Sequence, residues 1–229
     1  MRVVVLTGAG ISAESGVRTF RDEGGLWEGH DVAAVATPEG FARDRELVQR
    51  FYDARRRELA RVAPNPAHLA LARLEEELGE DLLVVTQNVD DLHERAGSQR
   101  VVHMHGELLR AWCEACGRRH RWADDLVDSP PCPACGEPAL RPDVVWFGEV
   151  PYELERIDRA VRGCDLFVSV GTSGSVYPAA GYVALAAGSG VRTLELNLEP
   201  SEGSRFFDEV RTGPAGTLVP EWVEELLGG

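Results

Sequence analysis

With 229 residues, 44% of them hydrophobic and 27% charged, the chain suits one sizeable domain, or one domain with a small insert, of ordinary globular composition. A formal net charge of −14 argues against nucleic acid as a main partner, because phosphate binding needs a basic face, and leaves room for a basic peptide ligand. No apolar run approaches the roughly 18 residues of a membrane span, and the chain enters structure at once, so no targeting segment and a cytoplasmic location are expected.

Val3, Val4, Val5 and Leu6 read as a strand buried on both faces. They run into Gly8-x-Gly10-x-x-Ala13, the spacing of a phosphate-cradling turn. Gly8 would permit the tight turn, Gly10 a close approach to a pyrophosphate, and Ala13 the packing of a helix whose free N–H groups face the anion. A glycine turn with nothing bound fits the same residues. A dehydrogenase-like unit should end a second strand on Asp or Glu about 20 residues later. The chain instead enters a glycine-punctuated loop over residues 17–29, which departs from the usual hydride-transfer layout.

Thr37-Pro38-Glu39 predicts a helix start, and a longer helix follows over residues 45–62. Its stripe of Val48, Tyr52, Arg55, Leu59 and Val62 sets Arg55 in the middle of the buried side, one turn after Tyr52. A buried guanidinium there needs an anion or a carboxylate. The alternative is that Arg55 belongs to a solvated run with Arg56 and Arg57, or snorkels past its neighbours. Pro64-Asn65-Pro66 ends this helix and starts another over residues 67–78, with His68, Leu71, Leu74 and Leu78 on one face and His68 read as a packed core histidine.

Leu82 to residue 86 forms a second buried strand that delivers Gln87, Asn88, Val89 and Asp90 to a carboxyl edge, where ligands of open α/β sheets bind. A helix cap would explain Asn88 or Asp90 equally well. A short helix closed by Gly97 carries His93, read as structural. Val101 onward then reads as a strand that ends at His105, with His103 and His105 two apart and facing the same way. His105, with Gly106 leaving room beside it, is the better candidate for a general base; a structural, hydrogen-bonded pair is the competing reading.

Cys113-x2-Cys116, fifteen residues, then Cys132-x2-Cys135 matches zinc-ribbon spacing. In a reducing compartment such pairs point to metal before disulfide. Four thiolates close a tetrahedral sphere at about 2.3 Å and leave no place for a water, so the expected Zn²⁺ is structural, with His120 not needed as a ligand. In small zinc peptides such binding is worth roughly 10–16 kcal/mol, enough to fold a short segment. The remaining Cys164 reads as a small buried residue.

Residues 144–149 read as an aromatic, extended edge, and residues 166–170 as a buried strand leading into Gly171-Thr172-Ser173-Gly174-Ser175. Residues 191–196 form another strand, ending at Asn197-Leu198-Glu199-Pro200. Four strands thus each end on small or polar residues. The pattern predicts an α/β fold: a Rossmann-like parallel sheet with helices on both faces, plus a small lobe. Residues 1–25, 64–110 and 141–229 are assigned to the sheet domain, and a helical insert (26–63) and zinc-ribbon module (111–140) to the small one.

Taken in order, these motifs resemble the sirtuins, NAD-dependent protein lysine deacylases. Gly8-Ala9-Gly10-Ile11-Ser12 with Gly16-Val17-Arg18-Thr19-Phe20-Arg21 is similar to the family's first NAD signature, and Thr86-Gln87-Asn88-Val89-Asp90 to its second. His105-Gly106 is similar to its catalytic histidine, and the paired cysteines, Gly171-Thr172-Ser173 and Asn197 complete the set. Tyr52-x-x-Arg55, Ala36 and Arg18-Thr19 resemble the bacterial, desuccinylase-like class.

The resemblance implies that Gly8 to Ser12 carry the phosphates with help from Gly171, Thr172 and Ser173, while Asn197, Leu198, Glu199 and Ala215 frame the adenosine. Gln87 and Asn88 would hold the nicotinamide ribose and Asp90 the nicotinamide amide, with Phe20, Arg21 and Trp27 in a loop closing over the reacting end. The acyl-lysine oxygen would displace nicotinamide, with Asn88 and a neutral His105 as catalytic residues. The products would be nicotinamide, O-acyl-ADP-ribose and free lysine. Ala36, Tyr52 and Arg55 would line the acyl pocket, and peptide would add as a strand beside Phe147, Gly148 and Glu149 and beside Gly174, Val176 and Tyr177. Acyl-lysine proteins or peptides are the expected partners; no nucleic acid or membrane is expected, and the oligomeric state is not legible. Competing readings are a protein ADP-ribosyltransferase, an NAD oxidoreductase and a zinc-ribbon binding module.

Overall fold

A computed structural model of the chain describes residues 1–18, 26–27 (backbone) and 29–228. The first half runs β1 (Val3–Thr7), α1 (Ala9–Ala13), β2 (Leu26–Trp27), β3 (His30–Asp31), α2 (Val32–Val35), α3 (Pro38–Arg43), α4 (Arg45–Leu59), α5 (Pro66–Leu78), β4 (Leu82–Thr86), α6 (Leu92–Ala96) and β5 (Val101–His103). The second half runs β6 (Gly106–Cys113), β7 (Arg119–Arg121), β8 (Leu140–Val144), α7 (Leu154–Gly163), β9 (Leu166–Val170), α8 (Tyr182–Gly188), β10 (Arg192–Asn197), β11 (Glu209–Thr212) and α9 (Ala215–Gly228). None of the described helices is long and apolar enough to cross a membrane.

All five residues of β1 are buried, as an apolar run covered on both faces requires. Its side chains alternate between layers: Val3 and Val5 pack with Leu71 and Leu74 of α5 and Val219 and Trp222 of α9. Val4 and Leu6 pack with Ile157 and Val161 of α7 and Val183 and Ala186 of α8. The sheet is six-stranded in the order β11-β10-β9-β1-β4-β5, with every pairing parallel. The chain therefore moves outward from β1 to β5 and then returns to the other side of β1 at β9. Such a reversal opens a crevice beyond the carboxyl ends of β1 and β9, where ligands of doubly wound sheets bind.

A second layer of structure sits beside this sheet. An antiparallel sheet, β7-β6-β8, carries the paired cysteines. Helices α2 to α4 form their own apolar cluster, with Val35, Phe41, Val48, Phe51 and Tyr52 against Leu108, Val144 and Trp146. The boundaries expected at 110/111 and 140/141 fall inside β6 and β8, which pair with each other.

Four local expectations are corrected. The strand expected to end at His105 ends at His103, and Met104 and His105 form a turn that carries the chain from one sheet to the other. Gly106 makes the crossing at φ +81°, where an added Cβ would lie 2.1 Å from the Asp143 carbonyl oxygen. Helix α4 ends at Leu59 rather than Val62, and α5 starts at Pro66 on a capping box made by Asn65 and His68. Residues 147–149 are a turn rather than an extended edge, with Gly148 at φ +92°. The Arg55-Arg56-Arg57 run is not one solvated face: Arg55 and Arg56 are buried and only Arg57 is exposed.

Candidate active site

The crevice is built from two loops that touch. The N–H of Gly8 donates to Val170 O at 2.9 Å, and that of Gly10 to Gly171 O at 2.8 Å. A Cβ on Gly10 would stand 2.7 Å from Gly171 Cα, and one on Gly8 would stand 2.7 Å from Gly171 O. The close approach that the glycines permit within the fold is thus between the β1 and β9 loops. Ile11 has its side chain in the core, so only its backbone can face a ligand.

Behind this turn lies a polar cluster. Ser12 Oγ donates to Asp90 Oδ2 at 3.0 Å and accepts from Asn88 Nδ2 at 3.1 Å, while Asn88 Nδ2 also donates to Gly8 O at 3.1 Å. Asp90 accepts the Leu92 N–H at 3.1 Å, so this carboxylate caps α6 as well as facing Ser12. Burial pushes its pKa upward against these hydrogen bonds. Val89 contributes its carbonyl, which accepts from Leu108 N–H at 2.8 Å. The side-chain N of Gln87 is buried with no hydrogen-bond partner among the described residues. An orphaned buried donor costs about 1–3 kcal/mol, which a ligand acceptor would relieve, so this edge fits a polar cofactor group.

The two histidines of the 101–105 segment differ in their partners. His105 Nδ1 lies 3.1 Å from the Gln87 carbonyl, which can only accept. Nδ1 therefore carries the proton, and Nε2 of the neutral ring presents a lone pair. Burial lowers the His105 pKa, outweighing the opposing hydrogen bond to Gln87. His103 donates Nδ1–H to Asn88 O at 3.2 Å and sits 2.7 Å from Glu94 through Nε2. Burial opposes charge on this ring, but the Glu94 carboxylate wins and raises the pKa. His103 thus meets an acceptor at each ring nitrogen, whereas, among the described residues, His105 meets one at Nδ1 only. His68 and His93 are fully buried, as expected of core residues.

On the far side of the crevice, Asn197 donates to Thr172 O at 2.8 Å, and Thr172 Oγ1 accepts from Gly174 N–H at 3.1 Å. Ser173 Oγ pairs with Ser175 Oγ at 2.7 Å. Leu198 and Glu199 are exposed, and Ala215 is buried in the sheet core. Sequence reasoning missed Glu14, whose carboxylate accepts Gly216 N–H at 2.8 Å and so ties α9 to the turn after α1. Phe20, Arg21 and the side chain of Trp27 lie outside the described residues.

A second group of expected residues gathers around Tyr52. Ala36 and Tyr52 are buried, and Arg55 is 8% exposed with its guanidinium carbon 5.6 Å from the Phe51 ring centre. Tyr52 oxygen accepts Trp146 Nε1–H at 2.9 Å. Phe147 N–H donates to Ala36 O at 2.9 Å, joining this cluster to the 147–149 turn. Phe147 and Tyr177 are exposed, Gly174 and Val176 partly so. The Glu149 carboxylate is occupied by Arg141, at 2.8 and 2.9 Å, so only the backbone there can meet a peptide.

The four expected metal ligands converge. One Sγ atom from each of Cys113, Cys116, Cys132 and Cys135 lies within 4.8 Å of all the others. The Cys113–Cys135 and Cys116–Cys132 sulfurs are 3.7 and 3.8 Å apart. A tetrahedron with Zn–S bonds of about 2.3 Å has edges of about 3.8 Å, so the donor set fits a zinc ion. His120 Nε2 is 3.3 Å from Cys132 Sγ, close enough to hydrogen-bond a thiolate.

Comparison with known proteins agrees with this geometry. The model of the Sir2 family matches residues 8–178. An NAD-dependent protein deacylase of Pasteurella multocida (strain Pm70) is 56% identical over 230 residues, covering 99% of this chain and 98% of that protein. Its namesake from Escherichia coli (strain K12) is 57% identical over 231 residues, covering 100% of this chain and 83% of that one. A solved complex of a Sir2 homologue with NAD is similar at a TM-score of 0.90 and 39% identity, covering 99% of this chain and 90% of that one. A Sir2 protein bound to an acetylated peptide gives 0.83 and 28%, covering 99% and 93%. By matched length, by identity and by fold, the chain belongs to the Sir2 family.

Proposed function

We propose that this protein is an NAD-dependent protein-lysine deacylase that removes succinyl and malonyl as well as acetyl groups. The observation that carries the reading is the pairing of a neutral His105, its Nε2 lone pair set by the Gln87 carbonyl, with the unsatisfied buried side-chain amide of that same Gln87 just after β4. NAD would supply a glycosidic carbon from which nicotinamide can be displaced by the acyl oxygen, and one water would complete the reaction, releasing free lysine and O-acyl-ADP-ribose. His105 Nε2 takes a proton from the ribose hydroxyls; base catalysis of this kind is worth about 10²–10⁴-fold. Gln87 and Asn88 orient the ribose, and Asp90, held by Ser12, faces the nicotinamide amide. The Gly8 to Ser12 turn, with Ala9 at the start of α1, serves the phosphates together with Gly171, Thr172 and Ser173. Asn197, Leu198, Glu199 and Ala215 serve the adenosine.

The acyl group enters among Ala36, Tyr52 and Arg55, and the peptide lies along Phe147, Gly148 and Glu149 and along Gly174, Val176 and Tyr177. A zinc ion on the four cysteines folds the small lobe and takes no part in the chemistry. In this reading residues 1–25, 64–110 and 141–229 serve NAD, and residues 26–63 and 111–140 make up the small domain. The test is mass spectrometry of products from NAD with parallel acetyl, malonyl and succinyl peptides. Nicotinamide and the matching O-acyl-ADP-ribose are expected, and ADP-ribosylated protein or NADH instead would refute the reading. A charge-assisted hydrogen bond of about 1.5–3 kcal/mol implies that Arg55→Met lowers the succinyl-to-acetyl ratio of kcat/KM by one to two decades. Retained NAD affinity with lost turnover is expected of His105→Ala.

A further inference from the structure

We infer that His103 is a positioning residue for the NAD-binding edge: its ring holds the Asn88 carbonyl, and with it the segment that orients the ribose, only while both ring nitrogens carry protons. The inference rests on the deacylase reading, which gives Gln87 and Asn88 their task, and adds the side chain that fixes their backbone. Two consecutive carbonyls are held by two rings of one short segment. Gln87 O meets His105 Nδ1 at 3.1 Å, and Asn88 O meets His103 Nδ1 at 3.2 Å. The Asn88 N–H donates to Thr86 Oγ1 at 3.0 Å, and its side-chain amide donates to Gly8 O and Ser12 Oγ, both at 3.1 Å. Asn88 therefore joins the segment after β4 to the turn after β1. A swing of its carbonyl would move the amide that makes the join.

The hold is conditional because His103 serves two acceptors. The Asn88 carbonyl can only accept, and so can the Glu94 carboxylate 2.7 Å from Nε2. A ring with two protons satisfies both. A neutral ring has one to give, and the carboxylate is the stronger acceptor, so the proton stays on Nε2 and a lone pair faces Asn88 O. The titratable groups around this ring are Glu94 and His93 of α6, Glu107 of β6 and Asp90 in the segment after β4. Burial opposes charge on His103, but Glu94, with Glu107, outweighs it and moves the loss of its proton upward from the usual histidine value. The Glu94 side chain is 41% exposed, so truncating it opens Nε2 to water. The neutral ring can then keep its one proton on Nδ1, and the hold on Asn88 survives at high pH.

The experiment measures the NAD dissociation constant by calorimetry between about pH 6 and pH 9, on the zinc-loaded full chain as wild type, Glu94→Ala and His103→Leu. Wild-type affinity is expected to fall about three- to tenfold across this range, the worth of one hydrogen bond. Glu94→Ala is expected to match the wild type at the acid end and to lose the fall. His103→Leu is expected to bind about three- to tenfold more weakly at the acid end and to show no fall. A side chain that only stabilised the fold would leave the pH profiles parallel. If His103→Leu does not fold, the comparison of wild type with Glu94→Ala decides alone. No fall in the wild type, or a fall that persists in Glu94→Ala, overturns the inference and leaves the deacylase reading intact. A wild type that binds no NAD at any pH overturns that reading and this inference with it.

Discussion

Asp53 and Arg56 form an ion pair sealed inside the small lobe, and removing the carboxylate tests what holds that lobe together. Both side chains are 1% exposed and meet at 2.5 Å. Asp53 also accepts the backbone N–H groups of Leu126 and Val127, each at 3.0 Å, and Arg56 donates to Leu108 O at 3.0 Å. Asp53→Ala would strand a buried guanidinium, the buried Leu126 amide and the partly buried Val127 amide at once. Breaking one half of such a pair costs about 3–5 kcal/mol. At roughly 2–4 °C per kcal/mol for a chain of this size, the midpoint of thermal unfolding should fall by about 10 °C. The Leu126 and Val127 amides belong to the segment between the two cysteine pairs, so zinc should also be released to a colorimetric chelator at lower temperature. The double change Asp53→Leu with Arg56→Met removes both charges and should recover part of the loss. A midpoint shift below about 2 °C for Asp53→Ala would show that water reaches the pair, and the reasoning would fail.

Two further outcomes follow from buried groups. Burial pulls the His68 pKa down to about 4, and that of His93 well below its usual value. The unfolded chain, titrating near 6.5, then binds more protons than the folded one between about pH 4 and 6.5, so stability is lost as pH falls through that window. The slope is up to about 1.4 kcal/mol per pH unit for each ring. Denaturant unfolding of wild type and His68→Gln at pH 5 and pH 7 should show a shallower pH dependence for the variant; equal slopes would contradict the assignment. Gly10→Ala should weaken both NAD binding and the fold, since its Cβ would stand 2.7 Å from Gly171 Cα. Gly188→Ala, with nothing within 4 Å, should be neutral or stabilising by up to about 1 kcal/mol. Equal thermal midpoints for the two variants would show that the loops are not in contact.

Features encoded by adjacent residues were legible before the structure. The apolar runs of β1, β4 and β9 announced a parallel sheet, and the two C-x2-C pairs announced a metal site, because spacing alone determines both. Helical periodicity placed Arg55 correctly on a buried face. The same periodicity assigned Arg56 to no partner, because it bonds the Leu108 carbonyl, more than fifty residues away in sequence, and an Asp53 carboxylate that is itself held by the Leu126 amide. Gly106 looked like room beside a base, yet the structure uses its positive φ to move the chain between sheets.

The contrast between His103 and His105 shows where sequence reasoning reaches its limit and chemistry takes over. Two histidines at a spacing of two are equivalent as a pattern. One meets the Glu94 carboxylate and is driven toward the imidazolium; the other meets the Gln87 carbonyl and keeps a lone pair. Neither partner is adjacent in sequence, and both follow from how β4 and α6 lie against the turn after β5. Which ring keeps an unprotonated nitrogen is therefore set by the acceptors each one finds, and the turn at Met104 and His105 places the two rings beside different ones.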